Sequence, residues 1–116
     1  MSDYKLSKGY NNIKMIIKNK IKDLRSMFES CKYLENIEEL KYLNVKYYTK
    51  FSYMFYDSSS LKDIKPLENW DVSNGTNFSK MFSSCSLLKD INSLENWNVS
   101  KGTDFSGMFN QCSLIL

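Results

Sequence analysis

The apolar positions of this chain recur every 27 residues. The clearest recurring element is a Met-Phe pair, and it occurs four times at a constant offset. The pairs are Met27-Phe28, Met54-Phe55, Met81-Phe82 and Met108-Phe109. Apolar residues at three-residue steps follow each of the first three pairs. A constant period of this length is typical of stacked-repeat proteins, in which each unit buries its apolar face against its neighbours.

The two halves of the repeat predict two kinds of element. Residues 51, 54, 55 and 58 are spaced i, i+3, i+4, i+7, which predicts a short helical turn. The stretch around Leu61 and Ile64 follows neither a helical nor an alternating period, and we expect a short strand there, between two corners of the chain. Gly75 and Gly102 predict tight returns in which glycine adopts a positive φ.

These elements predict one domain over residues 1–116, with an apolar core supported by 42% hydrophobic and 15% aromatic residues. The expected fold class is an α/β repeat solenoid of about three and a half coils, each with a short helical turn and a short strand in a parallel ladder. The predicted segments are an N-terminal basic cap at 1–21, repeats at 22–48, 49–75 and 76–102, and a partial last repeat at 103–116.

The recurring Met, Phe, Trp and Cys residues are predicted to be core rather than a cofactor site, because identical side chains stack on one another in such repeats. Cys31, Cys85 and Cys112 share one repeat position, which Ser58 fills in the second repeat. This favours buried free thiols, although a bridge between Cys85 and Cys112 is an alternative in an oxidising environment. We expect no metal and no cofactor, since the chain has no His and no Cys-x-x-Cys pair.

The stretch from Trp70 to Leu88, Trp-Asp-Val-Ser-Asn-Gly-Thr-Asn-Phe-Ser-Lys-Met-Phe-Ser-Ser-Cys-Ser-Leu-Leu, resembles a known repeat. It is similar to the BspA-like leucine-rich repeats, also called mycoplasma-type lipoprotein repeats, and the resemblance extends from Ile21 to Leu116. It implies a leucine-rich-repeat-like solenoid that binds proteins, in some members for adhesion. Gly75 and Gly102 stand where that family usually has Val. The family carries no catalytic residues.

The chain is not expected to be an enzyme. Without His it lacks the commonest general base, and its four glycines form no phosphate-binding loop. Asp63 and Asp90 occupy one repeat position and suggest a cation site. We favour instead solvated carboxylates neutralised by the neighbouring Lys62 and Lys89.

The tyrosines mark the least repetitive surface, since all eight lie between Tyr4 and Tyr56. Tyr is enriched in recognition surfaces, although Tyr47 and Tyr48 have filling of the core edge as an equal alternative. Exposed charged residues of the predicted strands complete the candidate surface. The candidate partner-binding residues are Tyr33, Tyr42, Tyr47, Tyr48, Tyr53, Tyr56, Glu35, Glu38, Lys62, Asp63, Lys65, Lys89 and Asp90.

The two ends of the sequence suggest further contacts. Residues 1–25 carry seven basic and two acidic side chains, and the alternation at 13–17 predicts a capping strand with lysines on its edge. The sequence ends partway through a repeat with apolar residues, which predicts end-to-end association with a second copy or a partner. The candidate self-association edge is Phe105, Phe109, Leu114, Ile115 and Leu116.

The sequence therefore predicts a non-catalytic protein–protein recognition module that inhibits or recruits another protein. One alternative is a nucleic-acid-associated protein using the basic N-terminus, whose binding would weaken steeply with salt. The other is a fragment of a surface adhesion protein. No apolar run is long enough to span a bilayer and no signal peptide is apparent, so we expect a cytoplasmic location, or a surface location if the chain is a trimmed fragment.

Overall fold

The Met-Phe elements form runs of turns whose backbones are joined from one repeat to the next. The computed structural model describes residues 21–115. We number the repeats one to four by their Met-Phe pairs. The N–H of Phe28 donates to the carbonyl of Met54 at 2.8 Å, and the N–H of Phe55 donates to that of Met81 at 2.9 Å. The same bond joins Phe82 to Met108 at 2.9 Å. Each repeat thus donates hydrogen bonds to the following one.

The prediction of a helical turn is wrong. The side chains spaced i, i+3, i+4, i+7 are buried as expected, but the backbone is not helical. Alternate N–H groups of the element bond within the repeat, three residues back, as from Met81 to the carbonyl of Phe78 at 3.2 Å. The N–H groups between them bond to the next repeat. Lys80 and Ser84 have positive φ of 52° and 61°, and such left-handed residues cannot continue an α-helix. The result is a chain of turns at 25–30, 52–57, 79–84 and 106–111.

The predicted α/β solenoid with a parallel strand ladder is also wrong. Residues 21–115 contain no strand and no sheet, only isolated parallel bridges from Lys50 to Asn77 and from Asn77 to Asp104. The stretch expected to be a strand leads into a short 3-10 helix in each of the first three repeats. These helices are η1 (Glu38–Tyr42), η2 (Lys65–Leu67) and η3 (Asn92–Leu94). Apolar residues three apart suit a 3-10 turn, whose side chains at i and i+3 eclipse.

The core runs through all the described repeats and confirms the expectation that the repeating side chains are structural. Phe55 stacks between Phe28 and Phe82, with ring centroids 5.5 and 5.4 Å away. A second column places Phe78 between Phe51 and Phe105, at 5.3 Å on each side. The Met-Phe pairs of the first three repeats are fully buried. The described part is a compact globule, with principal extents of 34, 31 and 21 Å.

The returns at Gly75 and Gly102 do not require positive φ, contrary to the sequence-based expectation. Among the described glycines only Gly107 is left-handed, with φ of 63°. Gly75 and Gly102 instead make room for an aromatic ring. A Cβ on Gly75 would lie 2.4 Å from Cζ of Phe78, and one on Gly102 would lie 2.2 Å from Cζ of Phe105. Because these positions have no Cβ, the ring of the phenylalanine three residues later can pack against them.

Polar side chains also bond across the repeats. Ser58 donates to the carbonyl of Phe28 at 2.7 Å, and the Cys85 thiol donates to that of Phe55 at 3.1 Å. The indole N–H of Trp97 donates to the carbonyl of Leu67 at 2.9 Å. Each bond spans 30 residues. Ser58 therefore replaces a repeat cysteine while keeping the same hydrogen bond.

Candidate protein-binding surface

The structure separates the candidate tyrosines into exposed and packed residues. Tyr33, Tyr42 and Tyr47 are exposed, with 58%, 68% and 77% of their surface accessible. Tyr53 and Tyr56 are half-buried and lie against each other, with ring centroids 5.2 Å apart. The strongest candidates for contact with a partner are therefore the first three.

Tyr47 and Tyr48, which the sequence left equally open to both interpretations, have different roles. Tyr48 is half-buried against the core, and its hydroxyl donates to the carbonyl of Ile21. Burial raises the pKa of Tyr48. Tyr47 points outward. The alternative of filling the core edge therefore applies to Tyr48, and the surface interpretation applies to Tyr47.

Lysines lie over three of the candidate rings, an arrangement that the sequence analysis missed. Nζ of Lys41 is 5.2 Å from the ring centroid of Tyr42, and Nζ of Lys46 is 5.5 Å from that of Tyr47. The third pair joins different repeats, because Lys80 lies 5.8 Å from the ring of Tyr53. The first two are sequence neighbours, so the Lys-Tyr dipeptide was the available signal. Such cation–π contacts leave an ammonium beside an aromatic face.

Tyr47 lines a shallow, basic hollow of about 250 Å³ that joins repeats one and two. Its other charged lining residues are Lys22, Asp23, Arg25 and Lys50. Arg25 pairs with Asp23 at 2.8 Å and holds the pKa of that carboxyl below its usual range, mainly through side-chain hydrogen bonds. With Asp23 paired to Arg25, the lining keeps the positive charges of Lys22 and Lys50. The two groups of lining residues, 22–25 and 47–50, are 25 positions apart in the sequence, so only the packing of the repeats brings them together.

The seven charged candidates are all exposed, though not on strands. They lie at Glu35, Glu38, Lys62, Asp63, Lys65, Lys89 and Asp90. Four of them, at positions 62, 63, 89 and 90, line one hollow of about 480 Å³ together with Leu87. Glu38 and Lys65 line a different hollow of about 250 Å³. The structure thus groups six of the seven candidates in two places rather than one continuous site, and Glu35 lines neither hollow.

Asp63 and Asp90 have a local structural role. Oδ1 of Asp63 accepts the N–H of Lys65 at 2.9 Å, and Oδ1 of Asp90 accepts that of Asn92 at 2.8 Å. Such bonds two residues ahead are Asx turns, and here they begin the 3-10 helices η2 and η3. Residues 21–115 contain no group of three or more Cys, Asp or Glu placed to hold a metal ion.

The candidate self-association edge is partly open. Phe105 is 41% exposed and Ile115 is 77% exposed, while Phe109 and Leu114 are half-buried. Leu116 lies outside the described residues, as do positions 1–20 of the predicted basic cap. Beside Phe105 and Phe109 is an open apolar hollow of about 400 Å³. The association itself stays a prediction.

None of the three cysteines forms a disulfide, and Cys31 and Cys85 are buried while Cys112 is half-buried. Burial raises the pKa of Cys85 to about 12, and burial also raises that of Cys112. A thiol reacts through its thiolate, so Cys85 is a structural residue at neutral pH. The prediction of buried thiols outside disulfides is confirmed for Cys31 and Cys85.

The described molecule is a protein of packed 27-residue repeats that carries exposed tyrosines on repeats one and two. The chain belongs to the family described as Mycoplasma protein of unknown function, DUF285, whose model matches residues 3–115. No curated protein and no solved structure matches the chain. None of the helices formed by residues 21–115 is long and apolar enough to cross a membrane.

Proposed function

We propose that this protein is a non-catalytic recognition module that binds another protein through exposed tyrosines on its first two repeats. The observation that carries the proposal is the exposure of Tyr42 and Tyr47 at positions where later repeats have polar residues. Asn69 and Asn96 correspond to Tyr42, and Asn74 corresponds to Tyr47. Packing of the repeats does not need an aromatic ring at either position, because other repeats do without it.

Exposed tyrosines are suited to such contacts because they bury a large, rigid ring at small entropic cost and keep a hydroxyl for hydrogen bonding. The cations around Tyr47 support a partner surface with acidic residues. The resemblance to BspA-like leucine-rich repeats, a family that binds proteins, supports the same class of function. The proposal gives the chain no catalytic role, in keeping with its lack of histidine.

The test uses variants in which a tyrosine is replaced by the residue that another repeat has at the corresponding position. Tyr42→Asn and Tyr47→Asn introduce residues that the repeat already accepts at positions 69 and 74, so the fold should be unaffected. Affinity capture with the full chain, followed by titration of the captured protein, measures the effect. Each substitution should weaken binding about tenfold, as expected for an interface anchor.

The matched control is Asn96→Ala, which changes the position corresponding to Tyr42 in the third repeat. It should leave binding unchanged. Equal recovery of the partner by wild type and by the Tyr42→Asn/Tyr47→Asn double variant would contradict the proposed surface.

A further inference from the structure

The fourth repeat presents four backbone N–H groups that have no acceptor among residues 21–115. They belong to Phe105, Gly107, Phe109 and Gln111. The corresponding N–H groups of the third repeat, at residues 78, 80, 82 and 84, all donate to carbonyls of the fourth repeat at 2.7–2.9 Å. The fourth repeat therefore has the same row of donors as the third, without the acceptors.

These four donors point to one side because of the backbone conformation. Gly107 and Gln111 have positive φ of 63° and 59°, while their non-glycine neighbours do not. The third repeat has the same pattern, with positive φ at Lys80 and Ser84, and there the corresponding N–H groups all donate to one neighbouring repeat. The carbonyls at positions 104, 106, 108 and 110 are already used by the third repeat. The outward side of the fourth repeat is thus a surface of donors, and we call these four N–H groups and the apolar hollow beside them the donor face.

The apolar part of the donor face consists of side chains whose counterparts in the earlier repeats are buried. Trp97, Phe105 and Phe109 line the hollow of about 400 Å³. Phe105 and Phe109 each have a ring of the third repeat stacked on one side, for example Phe78 on Phe105 at 5.3 Å. Trp97 is stacked on Trp70 of the second repeat. At the corresponding positions of earlier repeats, Phe51, Phe55 and Trp70 are buried because a further repeat covers them.

We infer that the donor face binds a further polypeptide segment built on this same repeat, with its carbonyl side turned towards residues 105–111. Three junctions within the molecule show the complementary surface. In each of them alternate carbonyls accept the N–H groups while phenylalanine rings stack on phenylalanine rings. An indole N–H is a further element of recognition, since Trp97 donates to Leu67 and the carbonyl of Leu94 is the corresponding acceptor.

A second copy of the chain is a poorer occupant for two reasons. A symmetric pair would place donors against donors and leave buried N–H groups without acceptors, which is costly. A head-to-tail pair would need an open apolar side on the first repeat, whereas Leu24, Met27 and Phe28 are fully buried. The occupant must therefore bring a repeat whose carbonyl side is free.

Amide hydrogen exchange of the full chain, followed by NMR, tests this directly. In the free protein the four N–H groups of the donor face should exchange rapidly, and those at 78, 80, 82 and 84 slowly. The probe is a synthetic peptide with the sequence of residues 76–102. At saturation it should slow exchange at all four amides on the order of tenfold or more. A control peptide with Phe78→Ala and Phe82→Ala should not.

A pair of variants of the full chain separates the donor face from other exposed apolar sites. Phe105→Ala should weaken peptide binding about tenfold. Leu87→Ala removes a side chain of similar exposure, 43% against 41%, on another part of the surface and should have no effect. Lack of saturable binding up to about 1 mM peptide would overturn the inference. Binding without protection of the four amides, or equal protection by inorganic phosphate alone, would overturn it as well.

Discussion

Two positions of every repeat hold a left-handed backbone. The first is occupied by Ser26, Tyr53, Lys80 and Gly107, and the second by Ser30, Asp57, Ser84 and Gln111. For a residue with a Cβ, this conformation costs about 1–2 kcal/mol. The molecule accepts that cost because these residues direct N–H groups into the hydrogen bonds between repeats. Only the fourth repeat uses glycine at one of the two positions.

Replacing a left-handed residue by glycine should therefore stabilise the protein. Ser84→Gly removes a Cβ at φ of 61° and keeps the backbone bond to Asn110. We expect the free energy of unfolding in urea to rise by about 0.5 kcal/mol, the net of relieved strain and the added entropy of the unfolded chain. Ser86→Gly, nearby at an exposed residue without positive φ, should lower it by a similar amount. A loss of stability for Ser84→Gly would show that its backbone is unstrained.

The return between one turn run and the next depends on a small residue. Gly75 accommodates the ring of Phe78 and also lies against the carbonyl of Val72, 3.0 Å from where a Cβ would be. The first of these neighbours is a side chain fixed between two other rings, and the second is backbone. The return can therefore not relax easily around an added methyl group.

At this scale we predict that Gly75→Ala destabilises the protein by about 2–3 kcal/mol, the range found for overpacked cores. The measurement is again urea unfolding, with the Phe78 ring followed by NMR. Gly102→Ala is the informative comparison. It makes the same contact with Phe105, which is 41% exposed and stacked on a single described ring, Phe78, so the loss should be clearly smaller. Equal losses would mean that the backbone contact, not the ring, sets the cost.

Across the whole molecule, stability comes from columns of rings that pass through successive repeats. A ring within a column has partners on both sides, as Phe55 has, whereas Phe109 has one described ring partner, Phe82, at 5.8 Å. Each repeat thus stabilises its neighbours, and rings near the middle of a column should contribute most to the free energy of unfolding.

Replacing these rings by alanine should show how the loss of stability depends on position in the column. Phe55→Ala should cost about 4 kcal/mol of unfolding free energy, since it leaves a cavity between two stacked rings. Phe109→Ala should cost less than half as much, because the half-buried ring loses a single stacking partner. Thermal and urea unfolding of both variants provide the comparison. Similar losses would argue against a stability that depends on position in the column.

Several features of the molecule could be predicted from particular residues. The period of 27 residues and the burial of Met54, Phe55 and Cys85 followed from the repetition alone. The exposure of Tyr47 could not be separated from the packing of Tyr48, because adjacent residues of one type give no signal about which points inward. The hollow that joins Tyr47 to Lys22 and Arg25 was also missed, since its members meet only when two repeats pack.

The sequence by itself determined which side chains form the core, because burial of apolar surface needs only their recurrence at fixed intervals. It did not determine the backbone between them. Spacing of i, i+3, i+4, i+7 suits an α-helix and also suits this run of turns with left-handed residues. The choice was made by hydrogen bonds to carbonyls 26 residues further along the chain. Those partners exist only once the repeats pack, so tertiary structure alone decided the backbone, and with it the row of donors on the fourth repeat.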